Sequence, residues 1–429
     1  MRVFTSIGLL VLHGWMAIAH AAESGAGPNE ISVRTIESSN FDADLSPGES
    51  TTNVPAELDE IYGDNVGYYN GVGMREVLRY VIDPLDDLYR RTGIRIGAAY
   101  TMLFLQPMGG RSVEYGAAGD FDLLAAWDLV GRGTNDTGRL VMSAEYRFAM
   151  GAQPPSLVGG QLGTLIPPTA AFNERGFVVR DFYWIQRMFD GRFRLLIGRT
   201  DAADFIGSHW LQNVNNAFVN RHFSANPTLP MSEHGMSVGV SLRPVDTFYL
   251  TAGVSNGYSR TIRAEVDSFF NDWALFAFAE AGYTPTFENL GVGRYALGAW
   301  QMNARERIDA PSSYGLTAVI DQNLGERIQM FARYAYSDAT LTNVRHLAQS
   351  GVGLSGLLGR ADDLTGLAFS MAVPGGGATQ TETVLETFHR FQVTPNTQFS
   401  LGFQFIANPG NAYADGAAGA LYLRLRTSF

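Results

Sequence analysis

The sequence predicts an all-β protein, a transmembrane antiparallel β-barrel of about 16 strands with a short N-terminal helical segment. Three observations predict it. The chain opens with an apolar leader, long stretches alternate apolar and polar residues with a period of two, and short and long connections alternate along it.

The leader comes first. Arg2 supplies the positive end, Val3 to Ala19 is mostly apolar, and Ala19-His20-Ala21 has the small-x-small pattern of a cleavage site. Residues 1–21 are therefore expected to be a signal peptide, since the run is short and too interrupted for a membrane anchor. No later run is long and apolar enough for a spanning helix. Residues 22–73 are rich in Ser, Gly, Asn, Pro and acids, lack periodicity, and read as a flexible acidic segment. Ten of the acids lie within residues 1–64 against only Arg2 and Arg34, so most of the formal charge of −11 belongs to this tail. Residues 74–92 place Val77, Val81, Leu85 and Leu88 at helical spacing, with Pro84 as a break or kink. This helix is expected at the periplasmic mouth.

From residue 93 to 429 the period is two. Leu140, Met142, Ala144, Tyr146 and Phe148 alternate with Arg139, Val141, Ser143, Glu145 and Arg147. Phe399, Leu401, Phe403 and Phe405 alternate with Gln398, Ser400, Gly402 and Gln404. Leu421, Leu423 and Leu425 alternate with Tyr422, Arg424 and Arg426. A soluble sandwich also alternates. Strands of about 9–12 residues match a tilted membrane crossing, and charges gathered on one face suit a wet lumen. Short turns are expected at 131–137, 190–192, 244–247, 284–292, 323–327, 358–362 and 394–396. Long loops are expected at 106–118, 149–177, 200–234, 257–272, 304–312, 337–349, 374–381 and 407–418. The last residue, Phe429, ends an alternating strand, a pattern that resembles the recognition signal of the barrel-assembly machinery.

The chain contains no cysteine, which excludes disulfides, thiolate chemistry and cysteine zinc sites. It contains no lysine either, so all 31 basic side chains are permanently charged guanidinium forks. No phosphate-binding glycine loop or basic stripe for nucleic acid is present. His209, His222 and His234 share one loop but match no metal-ligand spacing, and neither metal nor cofactor is expected. His389 falls on the apolar face of its strand, which suits packing better than base catalysis, so no enzyme is expected.

An ordered series of words resembles a known family. The series runs from Ile197-Gly198-Arg199-Thr200-Asp201 through Ala217-Phe218-Val219-Asn220, Arg294-Tyr295-Ala296-Leu297-Gly298 and Phe331-Ala332-Arg333-Tyr334. It continues with Arg360-Ala361-Asp362-Asp363, Glu386-Thr387-Phe388-His389-Arg390 and Asn408-Pro409-Gly410-Asn411. Over about residues 85 to 429 the chain resembles the carbohydrate-selective porins, the OprB-type family. It lacks the family's Gly-Asp-Trp-Gly-Gly word before the N-terminal helix, and Arg199 stands where lysine is usual.

The resemblance implies a 16-stranded outer-membrane barrel passing mono- and oligosaccharides through a polar constriction. Its partners would be small solutes, outer-membrane lipid and lipopolysaccharide, as a monomer or homotrimer. Sugar passage needs weak, multiple contacts from donors, acceptors and stacking surfaces. The pore-lining candidates are Arg139, Glu145, Arg147, Arg199, Asp201, Arg294, Arg333, Glu386, Arg390, Arg424 and Arg426. The long loop 200–234 can either fold inward to narrow the pore or lie on the outer surface, and the sequence leaves both open. A general or anion-preferring pore, and a plugged structural or adhesive barrel, are the alternatives.

Overall fold

The computed structural model describes residues 53–63, 67–68, 84–85, 87–109, 114–230, 234–258, 265–376, 380–410 and 416–429. The expected signal peptide lies outside the described residues, as does much of the acidic segment.

The strands are β1 (Ile94–Met108), β2 (Gly116–Val130), β3 (Gly138–Ala149), β4 (Gly176–Met188), β5 (Phe193–Thr200), β6 (Gly235–Val245), β7 (Phe248–Asn256) and β8 (Leu275–Tyr283). There follow β9 (Thr286–Phe287), β10 (Gly291–Met302), β11 (Ser313–Leu324), β12 (Ile328–Ser337), β13 (Val344–Ser355), β14 (Leu364–Pro374), β15 (Glu382–Thr394), β16 (Thr397–Ala407) and β17 (Ala417–Ser428). β9 is a two-residue piece folded against β10, and β8 pairs directly with β10. The other 16 strands pair antiparallel in chain order, and β17 returns to β1, with Met102 opposite Leu425, to close the barrel. Closure removes the sheet edges, so the wall's backbone groups find partners along the ring.

The alternation sets the two faces. On β17, Leu421, Leu423 and Leu425 are 43, 41 and 36% exposed, whereas the intervening Tyr422, Arg424 and Arg426 are buried, at 0, 1 and 2%. Greasy side chains face out and charged ones face in, the reverse of a soluble fold. Aromatic side chains gather toward both ends of the wall, among them Tyr146 and Phe148 at one and Phe391, Phe399, Tyr283 and Tyr295 at the other. Two such girdles at the membrane interfaces are expected of outer-membrane barrels.

The connections are short at the end that carries the start of β1 and the end of β17, and longer at the other end. Short turns mark the periplasmic side. The expected loop 337–349 is too long, since β13 already begins at Val344. A register shift between Val344 and His346 breaks the alternation there and conceals the start of the strand.

The expected flexible segment 22–73 needs correction. It contains a helix, α1 (Val54–Ile61), capped by Asn53, whose side chain accepts from Ala56 N. The helix is ordered because Val54, Leu58 and Ile61 form an apolar face buried inside the barrel. Of the expected helix 74–92, residues 84–85 and 87–92 are helical, and the rest lies outside the described residues. This piece docks on the β2–β3 turn, where Arg132 donates to Tyr89 O at 3.1 Å and Tyr89 Oη donates to Asp128 at 3.3 Å. Among the described residues no helix is long and apolar enough to cross a membrane.

Candidate functional site

The connection between β5 and β6 is here called L3, and its described residues, 201–230 and 234, fold into the lumen. Ile206, Phe218, Val219, His222 and Phe223 in it are fully or almost fully buried. Its rings pack on lumenal side chains of the wall, with Phe218 edge-on to Phe388 and His209 stacked flat on Phe331 at 3.7 Å between centroids. Two short helices accompany it, α2 (Val158–Leu162) in the β3–β4 loop and α3 (Arg221–Ser224) within L3.

Backbone that enters a lumen needs partners for its carbonyls and N–H groups. The wall supplies them. Arg294 pairs with Asp321 across β10 and β11 and also donates to Ser208 O. Arg333 donates to the carbonyls of Gly207 at 2.9 Å and His222 at 3.2 Å, and to Ala225 O and Gln212. Arg424 donates to Val214 O at 2.7 Å and Ala217 O at 2.8 Å. Arg390 donates to Asn216 O at 3.2 Å. Carboxylates serve the opposite need. Glu386 accepts from the backbone N–H of Val219 at 2.8 Å and of Asn220 at 2.9 Å, and from Tyr422 Oη at 2.9 Å. Glu280 accepts from Gly207 N, and Asp321 from Trp210 N. Five of the residues expected to line the pore, Arg294, Arg333, Glu386, Arg390 and Arg424, thus hydrogen-bond to L3.

Glu382 on β15 ties down three loops. It accepts from Leu165 N at 2.6 Å and Ile166 N at 3.2 Å in the β3–β4 loop, from Gly410 N at 3.0 Å in the β16–β17 loop, and contacts His222 Nε2 of L3 at 3.0 Å. The other nitrogen of His222 meets Ser370 Oγ at 2.9 Å. The order Ser–His–Glu has the outline of a nucleophile, base and orienter. All three side chains are fully buried, and the carboxylate is engaged by three loop amides, so the arrangement is a latch.

The partly wetted charges lie elsewhere, between L3 and the β2–β4 wall. Glu145 is buried against Arg147 at 2.8 Å, Arg175 at 3.5 Å and Arg180 at 3.6 Å, three guanidiniums whose side chains remain partly exposed. Arg147 also pairs with Asp120 at 3.0 Å. Asp120, Asp122 and Glu145 bring ligand oxygens within 4.8 Å of one another, and the cations beside them are arginines. Asp201, at the start of L3, accepts from Ala203 N at 2.9 Å. Burial raises the pKa of Asp201, opposed by that backbone hydrogen bond and by Arg180 and Arg175.

The other expected residues have separate places. Arg139 forms a two-pronged pair with Asp128 near the periplasmic end, at 2.5 and 3.1 Å. Arg199 lies opposite the outward-facing Phe182 and donates to Val179 O at 2.8 Å near the outer rim. Arg426 donates to Thr101 and to Glu57 of α1, at 3.0 and 3.3 Å. Sequence reasoning misses Arg175, Arg180 and Asp120. Asp120 and Asp122 share the lumenal parity of β2 and were open to discovery by pairing β2 with β3. Arg180 is hidden by a bulge in β4 that turns both Arg180 and Asp181 inward.

The comparisons agree with this geometry. The barrel is similar to two structures of Pseudomonas putida OprB. The high-pH structure is 16% identical with a TM-score of 0.67, and 80% of this chain covers 96% of that one. The low-pH structure is also 16% identical, with a TM-score of 0.51 and coverage of 80% of this chain and 95% of that one. No curated protein matches the sequence. Residues 153–429 match the family model described as carbohydrate-selective porin, OprB family, which is well over half of the chain, and the chain belongs to that family.

Proposed function

We propose that this porin passes sugars singly through a slot between L3 and the β2–β4 wall, with Arg147, Arg175, Arg180 and Glu145 as the groups that meet the solute. The observation that carries this reading is the cluster's mixed state. Its carboxylate is fully buried among three arginines, while the arginine side chains keep part of their surface exposed. Guanidinium forks held in place by Glu145 and Asp120 offer fixed donors to sugar hydroxyls. Acids and arginines are interleaved there, which favours neutral solutes over a strongly ion-selective pore and argues against the anion-preferring alternative.

Liposome swelling with sugars of graded size tests the reading. The wild-type channel is expected to admit monosaccharides faster than disaccharides. Arg180→Ala and Glu145→Gln are expected to alter those rates severalfold, while Arg139→Met leaves them unchanged. Equal rates in all four proteins exclude this cluster as the contact point.

Export by the leader and delivery to the assembly machinery complete the proposal. Phe429 and Ala98 exchange backbone hydrogen bonds at 2.8 Å where β17 closes on β1.

A further inference from the structure

The lumenal face of β2–β4 is apolar toward its periplasmic end. Leu124 and Ala126 on β2, Val141 on β3, and Tyr183 and Ile185 on β4 are all buried. A lumenal wall facing only water gains nothing from such a patch. It shares one buried cluster with Val54, Leu58 and Ile61 of α1. The wall also makes room for the helix. A Cβ at Gly97 of β1 would stand 2.7 Å from Ile61 Cδ1 and 3.0 Å from Leu58 Cδ2.

Charges complete the seat. Glu57 and Glu60 face Arg426 at 3.3 and 3.9 Å, Asp59 pairs with Arg95 at 2.8 Å, and Tyr62 Oη donates to Ile96 O at 2.9 Å. Further along, Tyr68 N donates to Gln392 O at 3.0 Å, and its hydroxyl to Asp363 at 2.7 Å. The helix thus sits on β1 and β2, and Tyr68 at the periplasmic end of β15.

We infer that α1 is a second, fixed filter in series with L3, on its periplasmic side, and that Glu60 is its selectivity-determining residue. Glu60 is where helix, wall and constriction loop meet. Its carboxylate accepts from Gln398 of β16 at 2.8 Å and from Asn216 of L3 at 3.1 Å. Its side chain is 20% exposed, against 3% for Glu57, so it presents negative charge to the remaining lumenal water. The filter is fixed, since leaving the wall would expose both the helix's apolar face and the patch beneath it. The inference rests on reading the chain as an open sugar pore.

Planar-bilayer recording and liposome swelling test it on the mature chain, on a variant lacking residues 53–63, and on Glu60→Gln. Removing α1 is expected to raise single-channel conductance about twofold and to admit larger sugars, because a helix about 10 Å across leaves the lumen. Glu60→Gln is expected to move the reversal potential in a salt gradient toward anions and to leave neutral-sugar rates alone. Unchanged conductance and size order in the deletion, or an unchanged reversal potential in Glu60→Gln, overturns the inference. If the deletion fails to assemble, a Leu58→Cys/Gly97→Cys pair in this cysteine-free chain, at the close contact of helix and wall, locks the helix instead. Oxidation is expected to leave the current unchanged, and a drop in current overturns the fixed filter. A wild-type channel that passes no sugar sinks the porin reading itself, whatever the variants do.

Discussion

Each buried arginine of the lumen needs acceptors, and Arg294, Arg333, Arg390 and Arg424 all find carbonyls on L3. Arg333 is the most committed, reaching four acceptors on that loop. Arg333→Leu withdraws its donors from those acceptors, of which His222 O keeps Gln349 Nε2 at 3.0 Å, and each buried group left unsatisfied costs about 1–3 kcal/mol. The loop is therefore expected to come loose before the wall does. Trypsin cleavage after Arg221, inside L3, is expected to become rapid in the variant while the barrel stays folded, and protection equal to wild type would show that Arg333 is dispensable. His209 makes a pH prediction. It stacks on Phe331, its Nε2 meets Phe223 O at 2.8 Å, and burial, together with Arg333, holds its pKa well below the ordinary histidine value. The folded loop binds this proton less readily than the unfolded chain, so stability is full above about pH 6.5 and is lost as the pH falls below it. Thermal unfolding in detergent is expected to weaken on acidification from pH 7 to pH 5, and less so in His209→Asn. Identical slopes would remove His209 from the account.

At the level of elements, Glu382 converts three separate loops into one unit. Glu382→Ala is expected to release Leu165, Ile166 and Gly410 amides together to hydrogen exchange, with strand amides unaffected. Exchange that rises at only one loop would mean the loops are held independently. The elements also show what was legible in the sequence. The wall was, because a period of two survives in a single chain wherever one face meets lipid and the other a polar lumen, as on β16 and β17. The inward path of L3 was not, since its anchors lie on distant strands, with Glu386 far along the sequence from Val219. The role of Glu145 was readable from parity alone, but two of its partners were not, because Arg175 comes from a loop and Arg180 from a bulge. The helix α1 escaped for a different reason. It is only eight residues long, too short to show a helical period by itself, and only the apolar patch on the wall makes its apolar face sufficient.

For the whole molecule the two faces of the wall carry opposite demands, and this gives a depth-resolved prediction. Leu423 sits near the middle of β17, faces outward, and is flanked by Leu401 on β16 and Phe104 on β1, so all three present hydrocarbon to lipid. An arginine there must hold its charge in the bilayer midplane, which costs about 2–4 kcal/mol. Met108 also faces outward but ends β1 on the loop side, where an arginine reaches the headgroups and costs about 0–1 kcal/mol. Urea titrations of folding into lipid vesicles are expected to separate Leu423→Arg from Met108→Arg by roughly 2 kcal/mol, with single-channel conductance unchanged in both, since neither side chain touches the lumen. Equal costs at the two depths would mean that the ring of leucines on β16 and β17 does not face lipid, and the inverted wall on which the proposed slot and filters depend would have to be redrawn.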